Sequence, residues 1–459
     1  MKQTVTPPLP PGPKGQGFRN MRRLAGDLNG FIDSLHADYG DIACYEVPGA
    51  RFCAVFSAEL MKEVMVDKEP ILPPAYPWMH FDIVKTPGLA RWRGADHKRL
   101  TGLIVDAFDD ERMGPIAEML AEQTTAHLDR FRPGETVDVV DEFERLSWRE
   151  TLTALFGADG DMKREIGRPL LKSVKMGFLV EAMPARGLIE RLPLPFVRRA
   201  NRAAKTLDTL AYAAIQRARD PNHCGHDVVS HLVRTTQEGR ADWSYNHDSE
   251  IRDEAYALLF GAYEPPVVVL VNALHYLALN PAVRDQLEHE ADTLLGDRPI
   301  SGADLEQLPY ARAVALESLR LHPVAEPLVG RIALEDTTLG GYSVPKGTRV
   351  QISPRILQRR PEYWEEPEAF QPERWLKDPH KSELGCPAHP FLAFNKEPRH
   401  CRGARFATAL MVCALASIAQ RFRFEPVGAP MPTRAGMDFG AFPGPIMMTV
   451  EERARSRAA

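Results

Sequence analysis

Residues Pro390–Met411 read PFLAFNKEPRHCRGARFATALM. A short polar stretch leads to Cys401, and the residues after it recur at helical spacing, so the cysteine sits in a loop that opens onto a helix. Arg399, His400, Arg402 and Arg405 flank it. Positive charge near a thiol favours the thiolate, the metal-binding form of cysteine. Read alone, the loop is more readily an ordinary free cysteine near a helix start, so the remaining chain has to decide.

Working toward the N-terminus, AVALESLRLHP places Glu317 and Arg320 three residues apart and therefore on one helical face. In isolation that is an ordinary surface ion pair. FQPERW, at 370–375, adds Arg374. Phe394, Arg399, Cys401 and Gly403 fall at the positions of the Phe-x-x-Gly-x-Arg-x-Cys-x-Gly signature of cytochromes P-450, which the chain resembles from there outward. The resemblance runs from the Pro-rich lead-in to the last strands. It implies a mainly α fold with small β-sheets, as one domain over 1–459 with an extended strap over 1–18. It also implies heme b, held between a long distal helix and a proximal cysteine loop, with Cys401 as the iron's thiolate ligand.

The same resemblance assigns other residues. Arg399 would meet a heme propionate, as would Arg331 in VGRIALEDTTLGGYSVPKGTRVQISP and His97 in GADHKRLTGLIVDAF, where Arg99 or Lys98 stands in for an arginine replaced by Thr101. Glu317, Arg320 and Arg374 would form a structural triad. Two departures stand out: Glu397 occupies the signature's glycine position, which puts the local turn in question, and Gln358 stands where a histidine is common.

Gly261-Ala262-Tyr263-Glu264-Pro265-Pro266 lies in the middle of an apolar helical run. In the family this position carries an acid followed by threonine; here Glu264 is kept and Pro265 replaces the alcohol. Proline has no N–H, so Pro265 and Pro266 leave the carbonyls of Gly261 and Ala262 without their helical donors, and a bulge is expected there. A desolvated Glu264 would have a raised pKa and could relay protons. The alternative is a simple kink with Glu264 paired elsewhere.

Three functions follow from these residues. The first is a monooxygenase that inserts one atom of O2 into a lipophilic small molecule. The second is a peroxygenase, or an oxygen-independent isomerase or dehydratase. The third is a heme sensor. Electrons for the first would come from a ferredoxin and its NAD(P)H-dependent reductase or from a flavodoxin, and Lys396, Arg399, Arg402 and Arg405 offer a basic docking patch. The expected substrate lining is Tyr76, Trp78, Met79 and Phe81 in a proline-rich loop, with Phe178, Ala262, Phe439, Phe442 and Ile446.

Composition narrows the field. A net charge of -5 offers no basic excess for nucleic acid. The N-terminus lacks the apolar core of a secretory signal, and the run Val267 to Leu279 is broken by polar residues, so a cytoplasmic monomer without a membrane anchor is expected. Six scattered cysteines argue for thiols rather than a disulfide framework. Gly12, Gly15 and Gly17 lie in the strap, His289-Glu290 lacks the second histidine of a zinc site, and no Gly-x-Ser-x-Gly elbow is present. Periodicity predicts long helices over 20–39 and from His97 to about Phe131, and a hairpin turning at Pro48-Gly49.

Overall fold

The structure, a computed structural model, describes residues 7–15, 17–75, 94–157, 195–237, 247–326, 328–377, 389–428 and 444–453. Two units emerge from the backbone contacts: Met1–Tyr76 with Leu316–Cys401 and Pro432–Pro443, and Pro77–Ala315 with Arg402–Met431 and Gly444–Ala459.

The first unit is built on a four-stranded sheet. Strands β1 (Ile42–Val47) and β2 (Ala50–Val55) form the expected hairpin, with Val47 opposite Ala50 and Gly49 at a φ of 82° that only glycine adopts freely. β2 runs parallel to β7 (Arg349–Ile352), which pairs antiparallel with β4 (Leu328–Ile332), giving the order β1-β2-β7-β4. Val55, Met61, Val64, Leu339, Val344, Val350 and Leu357 make one core, while Phe31, Ile32 and Leu35 of the helix Leu28–Tyr39 pack with Tyr45 and Phe56 in another. The proline-rich strap is tied down by its carbonyls, the only polar backbone group a proline retains. Ser343 N–H donates to the Pro8 carbonyl at 2.8 Å and Cys44 N–H to that of Pro11 at 2.7 Å. A Cβ on Gly12 would lie 1.7 Å from the Cys44 carbonyl oxygen, so this close approach requires glycine.

The second unit is helical, with a small sheet of order β3-β9-β8 formed by Thr136–Asp138, Met447–Glu452 and Phe422–Pro426. Its longest helix, Asp248–Leu279, packs on Val139–Phe156. Ser147 Oγ donates to the Tyr263 carbonyl at 2.7 Å, and the Trp148 and Tyr263 rings meet edge to face at 5.0 Å. By length and composition the long helix could cross a membrane, but 61% of its most apolar window is buried inside the protein.

Two expected helices are each split, and both breaks have a side-chain cause. Asp27 caps the helix Leu28–Tyr39 by accepting from Gly30 N–H at 3.0 Å, which separates it from Gly17–Gly26. Asp109 accepts from Arg112 N–H at 3.0 Å and separates Gly94–Asp106 from Asp110–Leu128. Aspartate competes for the backbone at such positions, which apolar periodicity does not register.

Glu150 is buried in the helix Val139–Phe156, where one carboxyl oxygen accepts from Thr124 Oγ1 at 2.9 Å and the other has no hydrogen-bond partner among the described residues. Burial pushes its pKa up to about 8. Between the ordinary carboxylate value and that one, the folded chain holds a proton that the unfolded chain has released. Stability that is complete at low pH is therefore lost as pH rises through the folded value. Glu150→Gln removes this loss. Melting curves at about pH 5 and about pH 8.5 should nearly coincide for variant and parent at the first and favour the variant by several degrees at the second.

Candidate active site

The Glu317 and Arg320 pair is not on the surface: both side chains are 0% exposed in the helix Pro309–Leu321. Arg320 uses all five of its donors. Nε and one Nη2 proton go to Glu317 at 2.9 and 2.8 Å, the other Nη2 proton goes to the Ala369 carbonyl at 3.0 Å, and Nη1 reaches the carbonyls of Gln358 and Pro367 at 2.9 and 2.7 Å. Glu317 also accepts from Arg374 Nε at 3.1 Å, Gln371 N–H at 3.0 Å and Trp375 Nε1 at 2.9 Å. The expected triad is therefore assembled, together with Trp375, Gln371 and three carbonyls that the sequence did not single out.

Gln358 links this brace to the cysteine segment. Its amide nitrogen donates to the carbonyls of Leu319 and Arg320 at 3.2 and 2.9 Å, and its oxygen accepts from Leu392 N–H at 2.7 Å. An amide can donate twice and accept at once from one rigid group, so glutamine serves as a local splint at the position where histidine is common.

Beyond Leu392 the chain turns tightly. Asn395 takes a left-handed φ of 64°, its side chain accepts from Lys396 N–H at 2.8 Å, Arg399 N–H donates to the Lys396 carbonyl at 2.7 Å and Cys401 N–H to that of Phe394 at 2.8 Å. Asn tolerates that φ better than most residues. Glu397 is exposed and is not among the residues of positive φ, so the turn at the expected glycine position accepts a side chain; the Glu397-Pro398 bond is cis. Gly403, at a φ of -88°, precedes the helix Ala404–Arg421.

Cys401 is exposed. Two residues before it, Arg399 is buried and reaches Glu69 through Nε and Nη2, both at 2.9 Å, while Nη1 has no hydrogen-bond partner among the described residues. Glu69 lies 330 positions away in sequence, and no local pattern marks it. A buried guanidinium edge left without a partner suits a carboxylate, and an exposed thiol two residues on suits a soft metal, so the segment fits a heme with its iron and propionate. Arg331, on β4, is 1% exposed and bridges Pro74 through the backbone. The basic docking patch does not hold as a group: Lys396 is 1% exposed and Arg399 is committed to Glu69, so neither side chain is presented for docking. Arg405 donates to the Phe108 carbonyl at 3.0 Å and pairs with Asp110 at 2.5 Å.

In the second unit, His97 is buried in the helix Gly94–Asp106, and the side chain of Arg99 lies outside the described residues. The long helix continues unbroken through Pro265 and Pro266, so the expected bulge is absent. Proline at both positions still leaves the Gly261 and Ala262 carbonyls without helical donors. Packing on the Val139–Phe156 helix anchors the Tyr263 carbonyl and ring, two residues before the first proline. Gly261, Glu264 and Pro265 share one helical face; Gly261 is exposed and Ala262, Glu264 and Pro265 are half-buried. Of the expected substrate lining, Tyr76, Trp78, Met79, Phe81, Phe178, Phe439 and Phe442 lie outside the described residues. Ile446 is half-buried, with its N–H donating to Asp138 at 3.0 Å.

A family model described as Cytochrome P450 matches residues 8–450. The chain is 31% identical to cyclooctat-9-en-7-ol 5-monooxygenase of Streptomyces melanosporofaciens, over 73% of its own length and 72% of that protein. Cyclooctatin synthase of the same organism is 33% identical over 80% of this chain and 79% of its own. Cytochrome P450 85A1 of Arabidopsis thaliana is 24% identical over 92% and 88%.

Proposed function

The chain belongs to the cytochrome P450 family of monooxygenases, and from that premise we propose that it binds heme b through Cys401 and inserts one oxygen atom of O2 into a lipophilic small molecule. Electrons come from a separate ferredoxin with its NAD(P)H-dependent reductase, or from a flavodoxin, and the chain works as a cytoplasmic monomer. The observation that carries the reading is the pairing of an exposed Cys401 with a buried Arg399 whose Nη1 has no hydrogen-bond partner among the described residues. The first relative is named for oxidation of a cyclic alkenol, which makes alicyclic alkenols the first substrates to try.

When bound, the heme supplies oxygen reduction, with the thiolate favouring O–O cleavage. The chain's own residues do the rest. Cys401 would hold the iron through its thiolate, within a segment bounded by Phe394 and Gly403. Arg399, Arg331, His97 and Arg99 would supply charge for the propionates. Glu264 places a half-buried carboxyl there to relay protons, and the carbonyls of Gly261 and Ala262 accept from a water or a substrate hydroxyl, so the chain offers a carboxyl and two carbonyl acceptors where an alcohol is usual. Ala262 and Ile446 contribute apolar surface to the substrate.

Purified protein given a turnover substrate with reductase, ferredoxin and NAD(P)H is expected to form product, and with hydrogen peroxide alone to form little. Product from peroxide only, or without any oxidant, overturns the reading. In the same assay Pro265→Thr restores a hydroxyl and is expected to raise product formed per NAD(P)H consumed. Unchanged rate and coupling would show that the proline does not shape proton delivery.

A further inference from the structure

The hairpin of β1 and β2 holds two thiols that oxygen insertion does not use. Cys44 and Cys53 are direct partners across the antiparallel strands, with their sulfurs 3.0 Å apart. Cys44 N–H turns away from β2 and donates to the Pro11 carbonyl at 2.7 Å, so the pair occupies a site where the two strands exchange no hydrogen bonds. At such sites the α carbons approach to about 4.5 Å. That separation falls within the range a disulfide spans, about 4.4–6.8 Å.

The two cysteines differ in access. Cys44 is half-buried and Cys53 is fully buried, so an oxidant reaches Cys44 first. The Cys53 thiol donates to Cys44 and Arg51 lies nearby, which lowers the Cys44 pKa; the same hydrogen bond and burial push Cys53 up. The attacking thiolate and its resolving partner are thereby distinguished.

We propose that Cys44 and Cys53 are a reversible redox modification site that hydrogen peroxide converts to a disulfide. The Cys44 thiolate attacks one peroxide oxygen, the O–O bond breaks, and the departing hydroxide takes up a proton to leave as water, giving a sulfenic acid. Cys53 sulfur then attacks Cys44 sulfur, and its proton leaves with the hydroxyl as a second water. Two thiols and one peroxide thus yield one disulfide and two waters, and a dithiol reductant reverses the change. The new bond ties β1 to β2 at the residue whose N–H anchors the strap.

The test uses heme-loaded full-length protein treated with equimolar hydrogen peroxide. The expected result is a loss of about 2 Da, a Cys44–Cys53 cross-linked peptide after digestion, and recovery of both thiols with dithiothreitol. Cys44→Ser abolishes the cross-link, and Cys53→Ala leaves a Cys44 sulfenic acid that dimedone captures. Both thiols intact in the parent protein after treatment, or a cross-link that involves other cysteines, overturns the proposal without need of any variant.

Discussion

Replacing Cys401 with alanine is expected to abolish turnover and the thiolate-type absorption of the reduced carbon monoxide complex while leaving the fold in place. The loop that carries the residue is shaped by backbone and neighbouring groups, namely Asn395 in its left-handed conformation and the hydrogen bond from Leu392 N–H to the Gln358 side-chain oxygen, and the bond from Cys401 N–H to the Phe394 carbonyl survives loss of the sulfur. The exposed thiol contributes little to packing, so truncation leaves no buried cavity and unfolding should shift by no more than about 0.5 kcal/mol. Only the ligand chemistry is removed. Activity falling to background with an unchanged far-ultraviolet spectrum and melting curve is the expected pattern, whereas a retained thiolate spectrum would show that another sulfur binds the iron.

The helices and the hairpin were legible because burial imposes a period. Pro48-Gly49 and the apolar repeat of Asp248–Leu279 each state their geometry locally. Splits at Asp27 and Asp109 were not legible, since a single capping oxygen outweighs an uninterrupted apolar pattern. The triad could be read from spacing and resemblance, but its carbonyl acceptors could not, because Pro367 and Ala369 contribute backbone groups whose side chains carry no signal. The Arg399–Glu69 pair falls in the same class, since it depends on where the fold brings a distant residue, whereas the turn at Pro48-Gly49 already sets Cys44 opposite Cys53. Lys396 reads as a surface charge in sequence and is buried in the turn, which shows how little a run of basic residues says about exposure.

Arg320→Ala is expected to be the most destabilising single change in the first unit. It strands Glu317, which keeps a buried carboxylate with Arg374, Gln371 and Trp375 as partners but loses two of its charge-assisted bonds, and it leaves the carbonyls of Gln358, Pro367 and Ala369 without the donor they share. Breaking one side of a buried ion pair typically costs about 3–5 kcal/mol, a large part of the roughly 5–15 kcal/mol that stabilises a folded domain. Arg320→Lys should recover little: an ammonium offers three donors from one point, whereas the five bonds here diverge in a fixed plane toward a carboxylate and three separate carbonyls. Because the Gln358 amide donates to the Arg320 carbonyl and accepts from Leu392, loosening this brace also loosens the approach to Cys401. The expected observations are a lower denaturant midpoint, a reduced yield of heme-loaded protein, and, in the fraction that does load, an unchanged KM and rate per heme. A rate per heme that collapses while the denaturant midpoint holds would instead place Arg320 in the chemistry and not in the scaffold.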